Sequence, residues 1–274
     1  MSRSKSFYAA CLFLMLCASS LSAAAFRVQL LGLPLPESKP EHRTSALGIV
    51  GSYIPDICTV QLAPGYSISD TVEGLQLGGV FSICRSLQGH QMSIGFNLSK
   101  ENRGQQIAGV FNHCSLLEGR QIGILNLATE GNGLQVGIFN YAGEGSSLSI
   151  GLINIRDRGL LRWVTRIDHH GNIFTGLQSG GAHLYTITFH GISDQSSSFA
   201  IGGHLKAARF FSDVEAGIHI PSGVQAVDEV SALVRIRPGI TLTGRLNLFG
   251  SAELRTSRSS GSSLSGSLGI AWGR

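Results

Sequence analysis

The sequence predicts an all-β protein, and three observations lead to this fold class. Six short segments recur at a nearly constant spacing between residues 74 and 155, apolar and polar residues alternate along each segment, and polar turns that contain glycine separate them. Alternation with a period of two is typical of a β-strand that has one apolar and one polar face. A helix is disfavoured because glycine recurs inside every segment.

The composition fits a chain of many half-exposed strands. Only 14% of the 274 residues are charged, 36 residues are glycine, and the mean hydropathy is +0.18. This charged fraction is well below the ~25% of ordinary soluble domains, as expected where alternate strand residues face lipid, although a glycine-rich solenoid would give similar values. The net charge of +4 is scattered, so we expect no nucleic-acid partner.

Residues 1–25 resemble a secretory signal peptide. Arg3 and Lys5 form a basic start, residues 7–17 are apolar, and residues 23–25 are three alanines at which cleavage is expected. An uncleaved N-terminal anchor is the alternative. We therefore predict an exported protein located in an outer membrane or at a cell surface.

Residues 26–73 form an N-terminal region that leads into the repeats. Residues 26–33, 46–53 and 57–63 have strand patterns. Residues 34–45 contain three prolines and mixed charges, which indicates an exposed loop.

Residues 74–155 form a six-copy repeat array. Most copies contain a glutamine and, five or six residues later, an asparagine, and the glutamine position is the first position used below. The first position lies 15, 15, 15, 14 and 14 residues apart, and the shortening predicts that a one-residue bulge is lost partway through the array. We expect the amides to form structural ladders that satisfy backbone groups of the turns. The ladder residues are Gln76, Gln91, Gln106, Gln121 and Gln135, and Asn97, Asn112, Asn126, Asn140 and Asn154.

Two architectures fit the array. Strands of ~9 residues at ~3.3 Å per residue and a ~40° tilt would span roughly 23 Å, close to the ~25 Å apolar band of an outer-membrane barrel. A solenoid coil of 14 or 15 residues would leave a thin core, since common solenoid repeats have ~20 residues or more. We predict an antiparallel meander that closes into an outer-membrane-type β-barrel. The alternative is a β-solenoid array followed by an antiparallel β domain.

Residues 156–274 continue the strand pattern, and we expect them to belong to the same barrel. Candidate strands cover residues 161–167, 171–177, 183–191, 198–210, 214–220, 230–237, 240–249 and 264–272, with Pro238 and Gly239 as a hairpin turn. Charged residues at alternating positions are candidates for a water-facing lumen. These candidates are Lys206, Glu215, Arg235, Arg237 and Arg245.

The sequence contains no recognisable catalytic arrangement. His169 and His170 are expected in a solvated turn, because adjacent strand residues would point to opposite faces and could not bind one metal ion. Four further histidines, at 183, 190, 204 and 219, fall on successive strands. A lumen lining is one reading of them, and scattered polar-face residues is the preferred one. Cys84 and Cys114 lie two copies apart, beyond disulfide reach. We predict no enzyme, no cofactor and no metal.

The repeat core, written GLQ(I/V)G(I/L)xN, resembles that of bacterial exported families described as surface repeat proteins. The resemblance continues through residues 149–155, 184–187, the SFAIGGHL strand and residues 235–254. It implies an envelope or surface location and no particular activity.

Two functions follow from the sequence. The first is a non-enzymatic cell-envelope protein, an outer-membrane β-barrel with a structural, surface-exposed or small-pore role and membrane lipid as its partner. The alternative is a secreted or surface-tethered solenoid that binds a partner through its repeat face. The sequence assigns neither a protein or small-molecule ligand nor an oligomeric state.

Overall fold

The computed structural model describes residues 25–31, 44–145, 147–222, 230–257 and 261–274. These residues form strands and turns without helices, so the all-β class is confirmed. A parallel β-solenoid is followed by a closed, eight-stranded antiparallel barrel. The predicted signal peptide lies outside the described residues except for Ala25, as does the predicted proline-rich loop up to residue 43.

The solenoid has three sides, and each copy contributes one short strand to each side. The chain enters through β1 (Ala25–Leu31), which pairs in parallel with β2 (Thr44–Tyr53). The first side consists of β4 (Val60–Ala63), β7 (Leu75–Gly78), β10 (His90–Ser93), β12 (Gln105–Ala108), β14 (Arg120–Ile122), β16 (Leu134–Val136) and β18 (Leu148–Ile150). The second side consists of β5 (Tyr66–Ile68), β8 (Phe81–Ile83), β11 (Phe96–Asn102), β13 (Phe111–Leu117), β15 (Leu125–Gly131), β17 (Phe139–Glu144) and β19 (Ile153–Arg156). The third side consists of β3 (Asp56–Ile57), β6 (Thr71–Val72) and β9 (Ser86–Leu87), continued by the last residues of β11, β13, β15 and β17.

Equivalent residues stack in register along the solenoid. Gln91 pairs with Gln76 on one side and with Gln106 on the other, and both pairings are parallel. The preference for an antiparallel meander in the array is therefore corrected, and the array takes the alternative architecture. The length argument assumed one strand per copy, whereas each copy bends into pieces of two to seven residues.

The later, 14-residue copies lack one residue at the corner between the first and second sides. Three residues, 78–80, separate the outward-facing Leu77 and Phe81, whereas two residues, 123 and 124, separate Ile122 and Leu125. The change of period from 15 to 14 therefore shortens one corner and leaves the strand register intact.

The glycine at the corner between the third and first sides is required by close stacking. A Cβ atom on Gly104 would lie 1.9 Å from the carbonyl oxygen of Gly89, and one on Gly119 would lie 2.0 Å from that of Gly104. Since the obstructing atoms are backbone, the coils would have to move apart to admit a side chain.

The barrel is a meander of eight strands. They are β20 (Leu160–Asp168), β21 (Ile173–Gly180), β22 (Leu184–Gly191), β23 (Ser197–Ala207), β24 (Phe210–Ile220), β25 (Ser231–Thr241), β26 (Leu246–Ser257) and β27 (Gly261–Gly273). Antiparallel pairing of β20 with β27, including Trp163 opposite Trp272, closes the barrel. The expectation that the array shares this barrel is corrected, because the array strands pair only within the solenoid sheet.

The predicted turn at Pro238 and Gly239 is also wrong. Strand β25 continues through both residues, and the chain reverses at residues 242–245. Thr243 Oγ1 accepts a hydrogen bond from the backbone N–H of Leu246 at 3.2 Å, which stabilises the turn. Pro238 cannot donate a ladder hydrogen bond, and the pairing of β25 with β26 skips Arg237 and Pro238.

The charged strand residues of the barrel point into its interior, beside a cluster of buried apolar residues, and the exterior is mostly apolar. In the described strands, no Asp, Glu, Lys or Arg occupies an outward position. Apolar side chains cover this surface, among them Trp163, Ile201, Leu205, Val214, Val234, Ile236, Leu264, Leu268 and Trp272, each at least 37% exposed. We call this surface the apolar belt. Arginines and carboxylates lie inside.

The last coil of the solenoid packs against the outside of the barrel. Asn154 of β19 donates from its backbone N–H to Ser179 Oγ at 2.9 Å and from Nδ2 to Thr186 Oγ1 at 2.6 Å. Ser179 and Thr186 point outward from β21 and β22 and are buried by this contact. The solenoid therefore extends sideways from the barrel wall.

Replacing Gly104 by alanine is expected to destabilise the solenoid by about 1–3 kcal/mol, the usual cost of overpacking a close contact. Thermal unfolding followed by far-UV circular dichroism measures the loss. Lys100→Ala, at an exposed site four residues earlier, is the control and should unfold like the unaltered chain. Equal midpoints for both variants would contradict the close-stacking argument.

Candidate functional site

A ladder of glutamine side chains runs through the solenoid interior. Each Nε2 donates to Oε1 of the glutamine one coil earlier, at 2.8 to 2.9 Å, over five successive pairs. The pairs link Gln61, Gln76, Gln91, Gln106, Gln121 and Gln135, and Ser149 Oγ extends the ladder to Gln135 at 3.1 Å. The glutamine members are fully buried, so these amides form the core of the coil.

A second ladder of asparagine side chains runs beside the first. Each Nδ2 donates to Oδ1 of the asparagine one coil later, at 2.8 to 2.9 Å, from Asn97 to Asn112, Asn126, Asn140 and Asn154. The first four also donate to a backbone carbonyl ten residues further along, as Asn112 does to Ile122 at 2.8 Å. All ten predicted ladder residues therefore lie in two continuous chains of hydrogen bonds.

The two ladders point in opposite directions. Glutamine amides donate towards the start of the chain, and asparagine amides donate towards its end. The dipoles of the two amide rows therefore oppose one another, which limits the net dipole of the stack. Aligned amide hydrogen bonds also polarise each other, so each bond strengthens its neighbours.

Two buried cysteines occupy the same row of the interior as Ser99. Gln91 Nε2 approaches Cys84 Sγ at 3.6 Å, and Gln121 Nε2 approaches Cys114 Sγ at 3.4 Å. Both cysteines are free. Burial raises the pKa of both thiols to about 12, so they are protonated near neutral pH and act as small core residues.

Gln61 is a ladder member that the sequence analysis missed. It donates to Ser52 Oγ at 3.0 Å and accepts from Gln76. Its position 15 residues before Gln76 was the available signal, but the surrounding segment lacks the glycine and asparagine of the later copies.

The barrel interior contains a cluster of ion pairs. Arg237 Nη2 lies 2.5 Å from Asp213 Oδ2 and 3.3 Å from Glu215 Oε1. Arg235 bridges Glu215 at 2.6 Å and Glu253 at 2.5 Å. These five side chains are at most 2% exposed. Each guanidinium therefore lies between two carboxylates.

Aromatic rings and further polar groups complete the cluster. Tyr185 donates its hydroxyl hydrogen to Glu215 Oε1 at 2.8 Å. The Arg166 guanidinium lies 4.2 Å from the centre of the Phe174 ring and 3.3 Å from Glu253 Oε2. Arg237 lies 4.8 Å from the centre of the Phe249 ring. The rings fill the space between the ion pairs and contribute cation–π attraction where water is excluded.

Three of the five predicted lumen charges belong to this cluster. Glu215, Arg235 and Arg237 are inside the barrel, whereas Lys206 and Arg245 are exposed. Lys206 has the inward parity of β23, but it lies one residue before the end of that strand. Arg245 lies in the turn between β25 and β26.

Three members of the cluster, Asp213, Glu253 and Arg166, were missed from the sequence, and a fourth, His204, was interpreted as a scattered polar-face residue. Asp213, Glu253, Arg166 and His204 all occupy inward positions of their strands. The signal was alternation: Arg162 and Arg166 alternate with Trp163 and Ile167, in the same way as Glu215 alternates with Val214. His204 Nδ1 lies 2.5 Å from Asp213 Oδ1.

The four histidines between residues 183 and 219 divide into two groups. His204 and His219 face the barrel interior, whereas His183 and His190 are exposed. His169 and His170 lie in an exposed turn, where Asp168 Oδ1 accepts from the backbone N–H of His170 at 2.9 Å. In the described part of the chain, no group of three or more His, Cys, Asp or Glu side chains is arranged to hold a metal ion.

Within the described residues, no helix is long and apolar enough to cross a membrane.

No protein family and no curated protein matches this chain. Among solved structures, a designed protein described as "De novo design of transmembrane beta-barrels" is similar with a TM-score of 0.29 and 13% sequence identity. The match covers 41% of this chain and 91% of the designed chain. A likeness at this TM-score carries no argument about function.

Replacing Gln106 by leucine is expected to lower the stability of the solenoid. The change removes the acceptor of Gln121 Nε2 and the donor to Gln91 Oε1, and two buried amide groups left unpaired cost roughly 1–3 kcal/mol each. Chemical denaturation followed by circular dichroism measures the difference.

The matched control is Gln105→Leu, the same substitution one residue earlier on the outward face. Leucine occupies the equivalent position at Leu75, Leu134 and Leu148, so this variant should be as stable as the unaltered chain or more so. An equal loss in both variants would exclude the ladder as the cause.

Replacing Arg237 by leucine is expected to cost about 3–5 kcal/mol, because it leaves buried carboxylates without one of their cations. The chain's two tryptophans, Trp163 and Trp272, both lie in the barrel, so their fluorescence during urea unfolding in detergent reports this unit alone. Arg245→Leu, in an exposed turn, is the control. A barrel that tolerates both substitutions equally would refute a structural role for the ion pairs.

Proposed function

We propose that this chain is a non-enzymatic membrane protein of the outer-membrane type, anchored by its barrel and carrying the solenoid as a lateral extension. The apolar belt is the observation that supports this proposal most. A lipid-facing barrel surface must exclude charges, because Arg or Lys at the bilayer midplane costs about 2–4 kcal/mol. The described outward strand positions meet this requirement.

The lumen supports an anchor and not a pore. An eight-stranded barrel has an interior just wide enough for side chains to fill it. Here the ion pairs of Arg235 and Arg237 cross the interior, with Phe189 and Phe249 packed against their guanidinium groups. A solute would have to break buried charge pairs in order to pass.

Export belongs to the same proposal. Residues 1–25 have the basic, apolar and small-residue pattern of a signal peptide. The repeat resembles that of bacterial surface repeat families, for which an envelope location is expected. The three connections at one end of the barrel, between residues 180 and 184, 207 and 210, and 241 and 246, have two to four residues, whereas those at the other end have three to ten. Outer-membrane barrels have short turns at one end and longer loops at the other.

Replacing Ile236 by arginine is expected to weaken insertion of the barrel into lipid vesicles by about 2–4 kcal/mol, because residue 236 lies midway along β25 and points outward. Thr256→Arg, near the end of β26, should cost only about 0–1 kcal/mol. Flotation with vesicles after an alkaline carbonate wash, and heat-modifiable gel migration, measure insertion.

The unaltered chain should remain with the vesicles and should not release a small dye trapped inside them. Loss of the protein into the carbonate supernatant would contradict the anchor. If folded protein releases the dye, the lumen is an open pore and the proposal of a closed lumen is wrong.

The alternative function, in which the solenoid binds a partner through its repeat face, is favoured by one observation. The outer surface of the first and second sides is mostly apolar, with Val60, Leu62, Met92, Phe139 and Tyr141 exposed, although His90 and Arg120 are exposed there too.

A further inference from the structure

The solenoid carries a continuous apolar ridge on its outer surface. At the corner between the first and second sides lie Val80, Ile94, Val110, Ile124, Ile138 and Leu152, which are 41% to 77% exposed. We call these residues the apolar corner. Coils stack about 4.8 Å apart, so the ridge extends roughly 25 Å from the barrel wall. An exposed apolar surface of this extent indicates a binding partner.

The opposite side of the same coils is charged. Arg103 and Glu118 form an ion pair at 2.8 Å, and Arg85 lies 3.7 Å from Asp70, all on or next to the third side. Lys100 and Glu130 are also exposed there. The cross-section of the solenoid is therefore amphipathic, with an apolar corner and a charged base. Amphipathic helices that lie in a membrane interface have the same distribution.

The contact between solenoid and barrel aligns these surfaces. Leu152 of the apolar corner lines an outer groove together with Trp163, Leu177 and Phe199 of the barrel exterior, and the groove also contains the polar residues Thr175, Thr188 and His190. On the charged side, Arg274 at the barrel rim donates to the backbone carbonyls of Arg156 and Asp157 at 3.2 Å each. The apolar corner thus meets the apolar belt, and the charged base meets the rim.

The depth of the apolar corner corresponds to one leaflet. Asn154 contacts Ser179 and Thr186, within two residues of the turn that ends β21 and begins β22. Leu152 lies near Leu177, which is two residues further along β21 from that rim than Ser179 is. Four residues at ~3.3 Å and a ~40° tilt give about 10 Å, close to the 5–10 Å to which interfacial apolar faces are buried and less than half of a ~25 Å belt.

We infer that the solenoid lies in the membrane interface, with its apolar corner buried among the acyl chains of the leaflet next to the short-turn rim. The inference rests on the proposed function, because the barrel fixes the height of the solenoid. Lipid is favoured over a protein partner since the ridge is continuous with the apolar belt. The polar interior is no obstacle, because the amides of each ladder hydrogen-bond to one another from coil to coil.

Tryptophan fluorescence in vesicles tests this placement. In the full chain, Trp163 and Trp272 are replaced by phenylalanine, and one new tryptophan is introduced as Val110→Trp on the apolar corner or as Lys100→Trp on the charged side. We expect lipids brominated on their acyl chains to quench Val110→Trp roughly threefold more than Lys100→Trp, and dissolved acrylamide to show the reverse preference. The unaltered chain, whose two tryptophans lie on the belt, reports barrel insertion.

Each alternative outcome has a separate meaning. Quenching of the belt tryptophans by brominated lipid, together with equal acrylamide quenching of Val110→Trp and Lys100→Trp, would overturn the inference and leave the barrel anchor standing. Protection of Val110→Trp from both quenchers, with crosslinked pairs of chains, would assign the ridge to a second copy and overturn it too. Belt tryptophans that brominated lipid does not quench would overturn the proposed function itself.

Discussion

The hydrogen bond between stacked amide side chains is the interaction on which the solenoid depends. Parallel strands in register place equivalent residues about 4.8 Å apart, a separation at which one carboxamide N–H reaches the next carboxamide oxygen. Gln106 meets both of its neighbours in this way, at 2.8 and 2.9 Å. The interior therefore needs no large apolar core, and a coil of 14 or 15 residues can close. The outward positions are then free to be apolar.

The barrel also buries polar groups and exposes apolar residues, but its buried polar groups are ion pairs and not amides. In its interior, the Arg235 guanidinium pairs with the carboxylates of Glu215 and Glu253, and its exterior is mostly apolar. Buried ion pairs are weak evidence of stability in a soluble protein, where a hydrophobic core is often as good. They fit a barrel whose outer surface already carries the apolar residues. Both units thus bury amide groups or ion pairs and expose apolar residues, on the barrel wall and on the apolar corner of the solenoid.

The sequence predicted the strand content and the amide ladders, because alternation and spacing report which residues share a face. It did not distinguish parallel from antiparallel pairing, since both give the same alternation. Glycines such as Gly79 and Gly95 fit either the middle of one long strand or a corner between two short ones, and only the pairing decides. Arg245 was misplaced for a related reason: Pro238 was taken for a turn residue, although it lies where the ladder of β25 skips a bond.

Ser179 and Thr186 show how the two units are joined. They occupy outward positions, as Thr175 and Thr188 do, but unlike those two they are fully buried because Asn154 covers them. Asn154 is also the last member of the asparagine ladder, so that ladder ends on the barrel and not in solvent. Thr186 Oγ1 also donates to the backbone carbonyl of Ser179 at 3.3 Å, so its hydroxyl has a partner within the barrel, whereas Ser179 Oγ would face lipid at some energetic cost without Asn154. The wall is therefore built to receive the solenoid at one height, and this contact sets the level of the apolar corner relative to the belt.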